Sequence, residues 1–234
     1  MGDLYVIRHA QASFGRDDYD QLSELGFRQT DLLGAYLRKA GIRFSALYSG
    51  SLRRQMETAT PLLSCLTETL SAEIAILPEF NEYDSSAVIQ SQIQYLVRED
   101  PSLEEDLPRL QTDRRALQRI LDLSLSRWMS ATEAVAGLET WSAFNQRVQE
   151  GIVRILSESG SGKTVALVTS GGPLSAILKK ALSLSNTETV QLSWQIRNAS
   201  VTTFKYNRDR LTLSSFNNVA HLELSGEPGV ITYR

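Results

Sequence analysis

The sequence has few of the residues that build disulfides or metal centres. Its 234 residues include one cysteine, Cys65, and two histidines, His9 and His221. These counts exclude an internal disulfide, a zinc site made of several thiolates and a metal site made of three histidines. We therefore expect no bound metal, and any histidine chemistry must depend on at most two side chains.

An excess of positive charge is also missing. The chain has 24 Lys and Arg residues against 27 Asp and Glu residues, which gives a net charge of −3. Proteins that bind nucleic acid usually carry a clear basic surplus, so no nucleic-acid partner is expected. A local basic pocket for a smaller anion remains compatible with these totals.

Long apolar runs are absent as well. No stretch of the sequence approaches the run of about 18 apolar residues that a transmembrane helix needs. The first residues, Met1-Gly2-Asp3, have neither the basic region nor the apolar core of an export signal. These features predict a cytoplasmic protein with no membrane partner.

The sequence does contain short apolar strands that alternate with amphipathic helices. This alternation predicts an α/β fold, a three-layer sandwich with a largely parallel central sheet flanked by helices. The length suggests a single domain over residues 1–234, with a helical insertion at about 83–141 where strand alternation is missing. A further helix is expected at about 54–70. The strands are expected at residues 4–7, 44–49, 74–77, 164–169, 201–206 and 211–216.

Three of the predicted strands lead into residues that can bind a phosphate. The first ends in Arg8-His9, the second is followed by residues 51–54 (Ser-Leu-Arg-Arg), and the fourth leads through residues 169–172 (Thr-Ser-Gly-Gly) into a helix. In open α/β sheets, ligands bind outside the carboxyl ends of the strands. An imidazole, guanidinium groups and the free amides of a helix N-terminus would meet there, and this combination suits a phosphate.

These segments resemble the motifs of the histidine phosphatase superfamily, which has the phosphoglycerate mutase-like fold. Residues 4–11 (LYVIRHAQ) are similar to its Arg-His-Gly signature. Residues 51–59 (SLRRQMETA) are similar to its second motif, in which an arginine lies two residues after a leucine. Leu77-Pro78-Glu79 matches the segment that carries its acid, and residues 198–200 (Asn-Ala-Ser) extend the resemblance to nearly the whole chain.

The resemblance implies a role for each matching residue. His9 is the nucleophile that takes up the phosphoryl group, and Arg8 and Arg54 bind the phosphate. Glu79 protonates the leaving oxygen and then helps to activate water, with Glu82 as the alternative proton donor. The partner is a small phosphorylated substrate, and a two-step reaction through phosphohistidine requires neither a metal nor another cofactor.

Further polar residues are expected around the phosphate. Ser170 and Gly171, at the end of the fourth strand, are placed to donate hydrogen bonds to it. Gln11 and Ser13, in the loop after the first strand, are candidates to line the pocket. The ordinary polarity of a loop explains Gln11 and Ser13 equally well.

The sequence departs from the family pattern at the second histidine. The family places that histidine after a buried strand and before glycine, where this chain has Ser170. A serine carries no positive charge, and charge-assisted hydrogen bonds are roughly twice as strong as neutral ones. The remaining histidine, His221, lies beyond the last strand pair, where a structural role is expected. In the first motif, Ala10, Ala12 and Gly15 also replace the usual residues.

Three functions remain open at this stage. The first is an active phosphomonoesterase with a modified pocket and reduced activity. The second is a phosphate-binding or regulatory member of the family that has lost turnover, and the third is a phosphoglycerate mutase. The retained Arg8, His9, Arg54 and Glu79 favour the first function. The third is weakened because the sequence shows no dedicated set of residues for a second phosphate. The sequence leaves open the natural substrate, which depends on the insertion, and the oligomeric state.

Overall fold

A single six-stranded sheet lies at the centre of the computed structural model, which describes residues 1–13, 20–67, 73–110, 112–131, 135–208 and 210–233. The strands are β1 (Gly2–Arg8), β2 (Ala46–Ser49), β3 (Ala75–Ile76), β4 (Thr164–Thr169), β5 (Val201–Tyr206) and β6 (Leu211–Asn218). Their order in the sheet is β3-β2-β4-β1-β5-β6. Strands β1 to β4 are parallel, whereas β5 and β6 pair antiparallel. The largely parallel sheet predicted from the sequence is confirmed.

The helices alternate with the strands along the chain. They are α1 (Glu24–Lys39), α2 (Arg53–Ala59), α3 (Ser85–Glu99), α4 (Arg114–Ser130), α5 (Trp141–Ser159), α6 (Gly171–Leu182), α7 (Asn186–Ser193) and α8 (Ala220–Glu223). Within the described residues, none of these helices is both long and apolar enough to cross a membrane.

The two faces of the sheet belong to two separate cores. In β4, Val165 and Leu167 pack on one face with residues of α5 and α6. The intervening Ala166 and Val168 pack on the other face with residues of α1. Because successive side chains of a strand point to opposite faces, helices cover both sides of the sheet. The expected three-layer α/β sandwich is confirmed.

Helices α3 and α4 form most of the helical segment predicted at about 83–141. Val88 of α3, and Leu121 and Trp128 of α4, join the core that contains Phe144 of α5. Burial of large apolar side chains contributes about 1.5–3 kcal/mol each. The segment is therefore anchored to the main core, which fixes the position of α4 beside the sheet.

The second helix is shorter than its apolar periodicity predicts. The prediction was a helix over about 54–70, but α2 ends at Ala59 and continues as a 3₁₀ helix, Thr60–Cys65. Pro61 explains the change, because proline has no N–H group for the α-helical hydrogen-bond pattern. Residues 68–72, which include the predicted end, lie outside the described part of the chain.

Helix α7 was missed by the sequence prediction. Its buried residues are Thr189 and Val190, too few to give a clear apolar stripe. A capping box marks its start: the Glu188 N–H donates to Ser185 Oγ at 3.2 Å, and the Ser185 N–H donates to the Glu188 carboxylate at 2.7 Å. This Ser-x-x-Glu spacing is the sequence signal that could have located α7.

His221, in the short helix α8, is a buried residue. Its side chain is 3% exposed, and its ring lies 6.1 Å from the ring of Tyr36 between centroids. Burial lowers the pKa of His221 from 6.5 to about 4, because the charged form of a side chain is disfavoured away from water. This position fits the structural role expected for His221.

The lowered pKa of His221 should make the fold sensitive to acid. Between pH 6.5 and 4 the unfolded chain binds a proton at His221 that the folded chain does not, so the free energy of unfolding falls as the pH is lowered. We expect a loss of about 3 kcal/mol over this range from His221 alone. Urea unfolding at pH 7 and pH 4.5 measures the loss. The His221→Asn variant should lose less stability on acidification than the wild type, and equal losses would contradict the prediction.

Candidate active site

The carboxyl ends of β1 and β4 meet at one edge of the sheet, as their parallel pairing requires. Arg8 at the end of β1 is paired with Thr169 at the end of β4. The backbone N–H of His9 donates to the Thr169 carbonyl at 2.7 Å. A cavity of about 390 Å³ opens at this edge. Its lining includes Arg8, His9, Arg54, Glu82, Gly171 and Gly172.

The hydrogen bonds of His9 fix the tautomer of its ring. Nδ1 lies 2.7 Å from the carbonyl oxygen of Ala10. A carbonyl can only accept a hydrogen bond, so Nδ1 carries the ring proton. Nε2 is then unprotonated, and its lone pair accepts a hydrogen bond from Arg54 Nε at 3.2 Å. The nucleophilic nitrogen of the ring therefore points toward a guanidinium group.

The surroundings of His9 keep its imidazole neutral. Burial, followed by the positive charges of Arg54 and Arg8, lowers the pKa of His9 well below 6.5. Both effects disfavour the imidazolium form. A neutral imidazole retains the lone pair that a nucleophile needs. At neutral pH the ring is thus ready to attack an electrophile such as a phosphorus atom.

The two guanidinium groups are held by different parts of the fold. Arg8 Nη1 donates to the backbone carbonyls of Ile196 and Tyr233, the latter at 2.7 Å. Arg54 lies in the first turn of α2, and its side chain is 9% exposed. Thr58 ties this turn to the strand end, because its Oγ1 donates to the Arg54 carbonyl at 2.7 Å and accepts from the Ala10 N–H at 3.0 Å.

Asp20 provides an anion that already contacts these donors. Its Oδ1 lies 2.5 Å from Arg54 Nη1. Its Oδ2 accepts a hydrogen bond from the backbone N–H of Arg53 at 2.8 Å. The neighbouring Arg53 side chain pairs instead with Glu57 at 2.7 Å. A carboxylate thus occupies the kind of donor set that binds the oxygens of a phosphate.

The structure places the Glu79 and Glu82 carboxylates in different surroundings. The Glu79 carboxylate lies beside α5, where Oε1 is 3.7 Å from Arg154 Nη1, and Glu79 is not part of the cavity lining. Glu82 lines the cavity, and its Oε2 accepts a hydrogen bond from the Gly172 N–H at 3.0 Å. Residues 78–80 form a 3₁₀ turn that separates the two carboxylates, and of the two Glu82 is the one that lines the cavity, so Glu82 is the better candidate for the proton donor. The role of either residue stays a prediction.

Gly172, which the sequence analysis did not single out, allows Glu82 to approach the start of α6. A Cβ atom at this position would lie 2.0 Å from Glu82 Oε1 and 2.6 Å from the Tyr83 ring. Gly171 lies between the Arg8 guanidinium and the Glu82 carboxylate, with its Cβ position 3.9 Å from Arg8 Nε and 4.0 Å from Glu82 Oε2. The Gly-Gly pair thus brings the Glu82 carboxylate close to the Arg8 guanidinium.

Ser170 does not reach the cavity. It is fully buried, and its Oγ accepts a hydrogen bond from Gln55 Nε2 at 2.8 Å. Gln55 Nε2 also donates to the Phe80 carbonyl at 3.0 Å. Gln55 is not among the site residues predicted from the sequence, although its place directly after Arg54 is a signal for it. The Gln55 amide links the ends of β4 and α2 to the turn before Glu82.

Gln11 and Ser13 are also absent from the cavity lining. Gln11 Oε1 accepts a hydrogen bond from Ser23 Oγ at 2.7 Å. Ser13 Oγ donates to the Leu22 carbonyl at 3.2 Å. Both side chains hold the loop against the start of α1. Gly15, where the first motif departs from the family pattern, lies outside the described residues.

The residues described by the structure include no group of three or more His, Cys, Asp or Glu side chains placed to hold a metal ion. Among the described residues that line the cavity, the positively charged side chains are Arg8 and Arg54. The arrangement therefore offers a neutral imidazole, two guanidinium groups and the carboxyl groups of Glu82 and Asp84. These groups can bind a phosphate, transfer its phosphoryl group and move a proton.

A family model matches most of the chain. The model of the histidine phosphatase superfamily (branch 1) matches residues 4–101 and 83–219. No curated protein sequence matches the chain.

Solved structures share the fold at low sequence identity. YhfR from Bacillus stearothermophilus is 17% identical with a TM-score of 0.66, over 94% of this chain and 99% of that chain. A phosphoserine phosphatase mutant from Entamoeba histolytica, in complex with phosphoserine, is 17% identical with a TM-score of 0.64, over 95% and 100%. A mycobacterial glucosyl-3-phosphoglycerate phosphatase with inorganic phosphate is 21% identical with a TM-score of 0.64, over 94% and 98%.

Proposed function

The chain belongs to the histidine phosphatase superfamily, and on that premise we propose that it is a phosphomonoesterase acting through a phosphohistidine on His9. One observation carries the proposal: the unprotonated Nε2 of His9 lies in a cavity beside Arg54, at 3.2 Å from its Nε, and Arg8 lines the same cavity. Similar structures are described as complexes with phosphoserine and with 3-phosphoglyceric acid. These ligands support a small phosphorylated substrate for this chain.

In the first step, the Nε2 lone pair attacks the phosphorus atom of the substrate. The N–P bond forms as the bond between phosphorus and the leaving oxygen breaks, and the electron pair goes to that oxygen. Arg8 and Arg54 offset the negative charge of the phosphoryl oxygens. The carboxyl group of Glu82 donates a proton to the leaving oxygen, so the product departs as a neutral alcohol.

In the second step, water attacks the phosphorus atom of the phosphohistidine. The Glu82 carboxylate takes a proton from the water as the new O–P bond forms. The N–P bond breaks, and its electron pair returns to Nε2 of His9. Inorganic phosphate leaves, and both His9 and Glu82 regain their starting protonation states. Neither step requires a metal ion or another cofactor.

The missing second histidine should reduce the rate. Position 170 carries a buried serine, and Gln55 and the amides of Gly171 and Gly172 are neutral donors. Neutral donors stabilise a developing negative charge less than a cation does. The absence of a cation at position 170 favours a second candidate function, a phosphate-binding member of the family without turnover. The cytoplasmic location stays a prediction from the sequence.

Phosphate release from a panel of phosphomonoesters tests the proposal, with and without a chelator. The phosphoprotein formed during turnover should be labile in acid and stable in alkali, as expected for phosphohistidine. Phosphate binding without release or labelling would establish the second candidate instead. Interconversion of 2- and 3-phosphoglycerate would establish a mutase.

A further inference from the structure

The cavity extends from His9 to an apolar end formed by the helical insertion. Leu121, Leu125 and Met129 on α4 line this end, together with Trp141 at the start of α5. Leu121 is 3% exposed and Leu125 is 2% exposed, so both are fixed by packing. The whole cavity, at about 390 Å³, falls within the usual range of small-molecule sites.

The aromatic wall of this apolar end is rigid. The Trp141 ring stacks on Phe144 with 5.5 Å between centroids, and it contacts the Trp128 ring at 5.4 Å. Tyr83, which also lines the cavity, contacts Trp128 at 5.1 Å and Phe144 at 5.5 Å. Close packing of this kind restricts the side chains to defined rotamers. The apolar end is therefore a preformed surface.

Three of the hydroxyl groups that border the cavity, on α6 and α7, are directed elsewhere. Ser175 Oγ donates to the Gly171 carbonyl at 2.7 Å. Thr189 Oγ1 donates to the Ser185 carbonyl at 2.7 Å, and Ser193 Oγ donates to a carbonyl within its own helix at 2.7 Å. Each of these bonds uses the single proton of the hydroxyl. They add no free donor for a charged or polar leaving group.

The charged side chains among the described lining residues also disfavour a negatively charged leaving group. The cations among them, Arg8 and Arg54, both lie at the His9 end, where the phosphate binds. The other charged lining residues are acids, Glu82 and Asp84. A carboxylate on the leaving group would find no cation on the described apolar wall and would be repelled by Asp84.

We propose that this site takes phosphate monoesters whose leaving group is an uncharged, apolar alcohol, such as an alkyl or aryl alcohol. The substrate class follows from the apolar end lined by Leu121, Leu125, Met129 and Trp141. It rests on the proposed phosphomonoesterase function, because that function places the phosphate at His9. The phosphate is held by the arginines, and the alcohol lies against α4 and the start of α5.

A series of straight-chain alkyl phosphates tests this substrate class without changing the chemistry. Ethyl, butyl and hexyl phosphate, phosphoserine and 3-phosphoglycerate all release a primary alkoxide, so the leaving groups are of one class. The value of kcat/KM should rise about two- to fourfold for each CH₂ group that is buried. Hexyl phosphate should exceed phosphoserine and 3-phosphoglycerate by at least about tenfold. Turnover that is independent of chain length, or a preference for the carboxylates, would overturn the inference.

A matched pair of lysine variants tests whether the cavity side of α4 forms the apolar end. Met129 lines the cavity, whereas Leu123 lies on the outer side of the same helix and is 37% exposed. Met129→Lys should lower kcat/KM for hexyl phosphate about tenfold and raise it for 3-phosphoglycerate, with little change for ethyl phosphate. Leu123→Lys should leave all three values unchanged. Equal effects of the two variants would count against the assigned surface.

Binding of non-hydrolysable phosphonates separates this inference from the proposed function. Calorimetry should show hexylphosphonate binding at least about tenfold more tightly than 3-phosphonopropionate, and the difference should disappear in Met129→Lys. If no ester is hydrolysed but this difference is found, the phosphatase proposal fails and the apolar end stands. If esters are hydrolysed but the two phosphonates bind equally, the phosphatase proposal stands and the apolar end fails.

Discussion

Replacement of His9 by alanine should lower phosphate release by at least about 10⁴-fold, because loss of a covalent nucleophile removes the reaction path itself. The variant should still bind phosphate, since Arg8 and Arg54 keep their places on β1 and α2. Steady-state kinetics with p-nitrophenyl phosphate measures the loss of turnover. Rapid quenching with labelled substrate measures the loss of the phosphoprotein.

Because the chain has few histidines, two variants are enough to show which histidine carries the phosphoryl label. The chain has two histidines, so His221→Asn removes the other candidate. That variant should retain the acid-labile label at a pH where it is folded, and His9→Ala should lose it. A label that persists in His9→Ala, or that disappears in folded His221→Asn, would refute phosphoryl transfer to His9.

The second large effect concerns the proton donor. Glu82→Gln should lower kcat/KM for an alkyl phosphate by about 10²–10³-fold, because an alkoxide leaves slowly without a proton. The same variant should change the rate with p-nitrophenyl phosphate by much less, since p-nitrophenolate is a stable leaving group. A comparison of the two esters therefore reports on proton transfer to the leaving oxygen rather than on substrate binding.

Glu79→Gln is the matched control for this experiment. Glu79 lies in the preceding turn and contacts Arg154 at 3.7 Å, outside the lining of the cavity. The variant should keep the ratio of alkyl to p-nitrophenyl turnover of the wild type. If Glu79→Gln changes that ratio and Glu82→Gln does not, the original assignment of Glu79 is restored.

Most of the residues at the His9 end of the cavity could be predicted from the sequence. Arg8-His9 and the residues after Thr169 follow two strands that are parallel neighbours, and parallel neighbours end at the same edge of a sheet. Arg54 belongs to the helix that follows a third parallel strand. Topology alone therefore brings these segments together, and short apolar runs are enough to infer the topology.

The identity of the proton donor and the residues of the apolar end depend on tertiary structure, which local sequence patterns do not contain. Glu79 and Glu82 are three residues apart, and the 3₁₀ turn between Leu77 and Asn81 decides which carboxylate faces the cavity. Ser170 is predicted to contact the ligand because it follows a strand. In the structure it is buried, and its hydroxyl is hydrogen-bonded to the Gln55 amide from another helix. The cavity side of α4 likewise depends on tertiary packing, which apolar periodicity cannot distinguish from an ordinary core face.

The carboxylate of Asp20, which contacts Arg54 and the Arg53 N–H, bears on how the product leaves. A substrate phosphate that uses these donors must displace Asp20, so binding is an exchange of one anion for another. When inorganic phosphate departs, Asp20 can return, and the guanidinium is not left without a counter-charge. For the proposed phosphatase we expect this exchange to weaken phosphate affinity and raise KM, and also to limit inhibition by the product.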